Sequence, residues 1–140
     1  MRIGVSVVVL SICVCTIFGA SPTQKQTDVL SPMIPAADRE KFKSIQEASA
    51  WFNPRLVIRS DGIEVIASGI PSGKKVIPVK NLKSTLLDLP VKAWPYGRVV
   101  AASDNGIRSP GDEKPIKGNH QTAEKVLKGL KIEIEWWPSA

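Results

Sequence analysis

The sequence predicts an α+β domain: a small mixed four-stranded sheet with two helices on one face, in the order β-β-α-β-α-β, behind an accessory N-terminal helix. Three observations lead there. Two β-branched runs flank Ser60-Asp61-Gly62, leucines recur at helical spacing before Pro90, and the segment from Lys131 to Trp137 alternates apolar with charged residues.

Taken in order, Asp38 can cap a helix from Arg39 to about Ala50, with Phe42 and Ile45 along one side and Pro54 as its limit. Leu56-Val57-Ile58 and Ile63-Glu64-Val65-Ile66 form a hairpin about the Ser60-Asp61-Gly62 turn. A loop through Gly69, Pro71, Ser72 and Gly73 follows, and Lys75 to Val79 has the makings of a further short strand. Leu82, Leu86 and Leu89 place an amphipathic helix over 80–89.

Gly97 to Ser103 is apolar and β-branched, which fits a buried strand ended by Asp104-Asn105-Gly106. A long loop is expected from Ile107 to Gly118, with Ser109-Pro110-Gly111-Asp112 as a turn within it. Asn119 then caps a helix through Lys128, with Ala123, Val126, Leu127 and Leu130 inward and Gly129 at its exit. In the last strand Ile132, Ile134 and Trp136 share one face, opposite Glu133, Glu135 and Trp137. Trp136 is therefore expected in the core and Trp137 on the surface.

Ahead of the domain, Ile3 to Ala20 carries no charge, follows Arg2 and gives way to Ser21-Pro22-Thr23-Gln24. This is the pattern of an export signal, which implies a secreted or periplasmic protein. Gly4, Ser6, Ser11, Thr16 and Gly19 dilute the run, which favours a cleaved peptide over a membrane anchor at 3–20, and Ile12 is too bulky for a lipoprotein signal. Residues 21–36, with three prolines among Ser, Thr and Gln, read as a flexible linker, leaving 37–140 as a single domain.

Both cysteines, Cys13 and Cys15, lie within the leading run, so the exported part has neither disulfides nor thiol chemistry. One of the 19 Lys and Arg residues is Arg2; the 18 that follow residue 20 face 13 Asp and Glu, an excess of 5 positive charges. Outside the cytoplasm such a balance suits an anionic cell-wall polymer, phospholipid or lipopolysaccharide, or an envelope protein, rather than nucleic acid. No calcium loop, phosphate-binding glycine string or zinc spacing occurs, so neither metal nor cofactor is expected. Membrane contact is expected only through an uncleaved N-terminal segment.

The succession from hairpin to last strand, with Arg59-Ser60-Asp61-Gly62 between the first strands, Val99 to Asp104 entering a polar turn, and Leu127 to Glu135 as helix into strand, resembles the periplasmic domain of the ExbD/TolR family. The resemblance covers residues 55–138 and implies a module that pairs with itself or docks on the cell wall and envelope proteins. The membrane aspartate of that family is absent here, since no acidic residue precedes Asp28, and proton coupling is not implied.

Taken together, these readings make the chain an exported, non-catalytic envelope module. Its candidate contacts are Trp137, Tyr96, Arg98, Arg108, Lys114 and Lys117. An exposed edge strand would also let two copies pair as a homodimer. The alternative is a small secreted hydrolase using His120, the one histidine, with a serine and a carboxylate brought near it. Asp61 and Asp104 are expected as turn formers rather than catalytic acids.

Overall fold

The computed structural model describes Leu30 and residues 33–139. The leading apolar run, with the export reading that falls on it, lies outside the described residues. Five strands, one more than expected, form a single mixed sheet in the order β3-β2-β1-β4-β5.

Strands β1 (Arg55–Arg59) and β2 (Gly62–Ile66) form the expected antiparallel hairpin, with Arg59 opposite Gly62. Gly62 has φ 146°, and a Cβ there would stand 2.2 Å from the Ile77 carbonyl oxygen. Only glycine allows the neighbouring strand to approach this closely. That neighbour is β3 (Lys74–Ile77), antiparallel to β2. Lys74 and Lys75 stand exposed on this edge strand, where lysine discourages pairing with a second chain.

Helix α2 (Leu82–Leu87) returns across the sheet and buries Leu82 and Leu86. Strand β4 (Val99–Asp104) then runs parallel to β1, and after α3 (Glu113–Gly129) the last strand β5 (Glu133–Trp136) runs parallel to β4. Both helices cover one face. There Leu56, Ile58, Ile63, Val65, Val100 and Ala102 from the strands meet Leu82, Leu86, Ala123 and Leu127 from the helices.

Helix α3 begins at Glu113, six residues before the expected Asn119 cap, and absorbs much of the predicted loop. Pro115 and Gly118 hid this start. A proline in the first turn breaks no hydrogen bond, because the first N–H groups of a helix have no partner within it.

The opposite face is covered in part. Phe42, Trp51, Tyr96, Val99 and Ala101 form a second core over β4, with Ala37, Ile45 and Trp137 packed against it. The helix predicted from Arg39 to Ala50 is accordingly only one turn, α1 (Arg39–Phe42), with Asp38 accepting from the Glu40 N–H at its start, and a 3₁₀ turn at Ala48–Ala50. Burying Phe42 and Trp51 in one cluster, with ring centroids 5.7 Å apart, makes the chain double back where helix propensity alone would have it continue.

The presumed flexible linker is also corrected at its distal end. Leu30 and Ile34 are buried in the main core, the Arg98 N–H donates to the Pro35 carbonyl, and Ala36 bridges to Arg98. Gly97, at φ 79°, leaves room for this strap, since a Cβ would lie 2.3 Å from the Ala36 oxygen. Asn53, 3% exposed, ties the entries of β1 and β4 together. Its Nδ2 donates to the Gly97 and Val99 carbonyls at 2.7 Å each, and its Oδ1 accepts from the Tyr96 N–H at 2.8 Å.

Candidate functional site

Three parallel strands, β1, β4 and β5, end at one edge of the sheet. In sheets built this way, ligands favour the carboxyl ends of the strands, where loops diverge and leave a crevice. The central strand of the three ends in Asp104, and the Asn105 N–H donates to the Ile58 carbonyl at 2.7 Å, carrying the pairing one residue further.

The loop that follows is closed by Asp112, whose carboxylate accepts from the N–H groups of Arg108 at 3.2 Å and Ser109 at 3.0 Å. Desolvation pushes this carboxyl up, but hydrogen bonds from the Ser109 N–H and hydroxyl, the Ser60 hydroxyl and the Arg108 N–H outweigh it and hold the group below its ordinary value. The expected turn at Ser109 to Asp112 is present, with the Asp112 N–H donating to the Ser109 carbonyl. It leads directly into α3.

On α3, Ile116, His120 and Glu124 follow at intervals of four and therefore lie along one side of the helix. His120 Nδ1 is 2.9 Å and 3.2 Å from the two Asp104 carboxylate oxygens. Ionised carboxylates only accept, so Nδ1 carries the hydrogen and the ring is held by a bifurcated bond. Nε2 faces Glu124 Oε1 at 3.4 Å. The imidazole lies against Trp136 of β5, with ring centroids 4.2 Å apart and 1° between planes. Three elements therefore fix one side chain.

Beside this stack opens a cleft of about 590 Å³, within the range of about 300–1,000 Å³ common for ligand sites. Its lining sets Asp104, Glu113 and Glu124 against Lys117, with the His120 ring beside them, and Ile107 and Ile116 supply apolar surface. A second depression of about 670 Å³ runs between α3 and β5 past Lys128, Ile132 and Ile134, and shares Gln121 and Glu124 with the first. Among the described residues, no group of three or more His, Cys, Asp or Glu is arranged to hold a metal ion.

The residues expected at a binding surface are dispersed. Tyr96 is buried, its hydroxyl accepting from the Phe52 N–H at 3.3 Å and donating to the Ala50 carbonyl at 3.2 Å. Trp137 packs edge-on against Trp51 at 5.4 Å, while Trp136 is the more exposed of the pair at 39%. The expected roles are reversed because an aromatic cluster covers the face of Trp137, whereas Trp136, at the end of the edge strand β5, stacks on His120 and stays partly exposed.

Arg98 precedes β4, and Arg108, Lys114 and Lys117 follow it, so the six-residue strand separates them by roughly 20 Å at about 3.3 Å per residue. They form no single basic surface. Lys117 alone of the six lines the cleft.

Asp104, Glu124 and Trp136 were not expected at a site. The position of Asp104, at the end of a buried strand leading into a helix, was the available signal, but its reading as a turn former concealed it. Asp61 does fill that role, pairing with Arg59 at 2.9 Å beside the hairpin turn. Comparison with known proteins adds no relative: no family model, no curated protein and no solved structure matches this chain.

Proposed function

We propose that this protein is an exported, non-catalytic envelope module that holds a protein partner in the cleft at the carboxyl edge of its sheet. The observation that carries the reading is the state of His120. Asp104 binds one ring nitrogen, Glu124 faces the other, and Trp136 covers one ring face. A residue held on three sides suits a rigid recognition surface, and the partners of its nitrogens are carboxylates rather than a nucleophile.

Cleft charge supports one of the two expected partner classes over the other. Three carboxylates against Lys117 disfavour an anionic wall polymer at this place and favour a protein surface with cationic and apolar groups. The export pattern at residues 3–20 and the resemblance to the periplasmic ExbD/TolR domain support an envelope location. A photoreactive residue at Gln121, in the cells that make the protein, should give a discrete adduct with one envelope protein, lost on Glu124→Arg. A cleft that yields no adduct would remove the reading.

A small hydrolase using His120 remains a second reading, favoured by the Asp104 contact, which orients the ring as in a general base. Ser139 lines the same cleft. Any hydrolytic activity found in the purified protein should then fall at least a hundredfold in His120→Gln, and unchanged turnover would dispose of this role.

A further inference from the structure

The opposite edge of the sheet has a different character. The chain enters β1, β4 and β5 there, and both α2 and α3 end there. Six large apolar side chains stand exposed among the described residues, and three of them belong to segments at this edge. Met33 is 65% exposed in the strap, Phe52 67% just before β1, and Val91 48% between α2 and β4.

Cations share the edge. Arg55 opens β1, Lys92 adjoins Val91, and Lys128 lies in the last turn of α3. Lys74 is there too, held by Glu64 at 3.6 Å. Of the nearby carboxylates, Glu133 is occupied by Arg39 at 3.3 Å, and Glu47 before the 3₁₀ turn and Asp88 at the end of α2 stand among these cations. The carboxylates of the cleft, Asp104, Glu113 and Glu124, lie at the other edge, where Arg108, Lys114 and Lys117 offset them.

We propose that this amino edge rests on a bilayer of anionic phospholipid. Separate apolar side chains ringed by lysine and arginine are the chemistry of an interfacial contact: the apolar groups enter the headgroup boundary while the cations meet lipid phosphate. A domain seated this way presents its cleft away from the lipid, free for a partner, although the lipid contact does not depend on the cleft having one.

Sedimentation of the full chain with vesicles tests the contact. Binding should be about tenfold greater with phosphatidylglycerol than with phosphatidylcholine, and that excess should fall in 0.5 M salt, where charge is screened within about 4 Å. The triple variant Met33→Ser, Phe52→Ser, Val91→Ser should lose about tenfold of the excess, and so should Lys92→Glu with Lys128→Glu. Lys80→Glu with Lys83→Glu, an equal change of net charge away from this edge, should bind far closer to the unaltered chain. Equal binding to both vesicle types, unaltered binding by the charge-reversed Lys92 and Lys128 pair, or an equal loss in the Lys80 and Lys83 pair would overturn the proposal.

Discussion

The imidazole of His120 lies flat on the indole of Trp136, with 4.2 Å between centroids and 1° between planes. This contact joins α3 to the edge strand β5 and holds His120 at the lining of the candidate cleft. An aromatic stack contributes about 0.5–1.5 kcal/mol beyond the area it buries. Because Trp136 is 39% exposed, His120→Ala should cost about 1 kcal/mol in urea unfolding and alter the tryptophan emission of the folded protein. A loss of more than about 3 kcal/mol would mean that His120 is a core residue rather than part of a surface site.

Asn53 should be far less tolerant. It is 3% exposed and satisfies two carbonyls and one N–H around the start of β4. Asn53→Ala removes three hydrogen bonds and leaves buried groups unpaired, which should cost about 3 kcal/mol or more by denaturant unfolding. Asn53→Asp should be worse still, since a carboxylate would face the carbonyls of Gly97 and Val99.

The strap makes a separate prediction. Ile34 is 2% exposed within the main core, so Ile34→Ala should destabilise the domain by about 2–4 kcal/mol. Were residues 33–36 an independent tether, thermal unfolding would show no change.

Gly62→Ala and Gly97→Ala should both fail for the same reason. Each would place a methyl group within 2.3 Å of a backbone oxygen at a φ that side chains rarely adopt. Losses of several kcal/mol are expected at both, measured by circular dichroism on heating.

The Asp112 carboxyl predicts an acid limb. Its folded-state value lies below the ordinary 3.8, so its contribution is complete above that value and is lost as pH falls through the folded one. Unfolding free energy measured from pH 5 down to pH 2 should decline, and the decline should be shallower in Asp112→Asn.

Local chemistry makes much of the fold legible in the sequence. The hairpin, the leucine helix, the buried strand and the alternating last strand follow from periodicity and turn residues, which act over a few positions. The early start of α3 was obscured because Pro115 and Gly118 resemble helix breakers unless their place in the first turns is known. Packing between distant segments was harder to read. Phe42, Trp51, Tyr96 and Trp137 come from four separate stretches, and their assembly shortened a helix, covered part of a sheet face and reversed the roles of Trp136 and Trp137. The site followed the same rule: Asp104 and Glu124 gain meaning only once β4 and α3 set them against His120.

Photocrosslinking from the cleft tests the central claim most directly. With the photoreactive residue at Gln121 beside His120, a discrete adduct with an envelope protein should form in the native cells and disappear on Glu124→Arg. The same probe at Ser84, exposed on α2, should give none. No adduct from Gln121, or the same adduct from both positions, would contradict a partner site at the carboxyl edge.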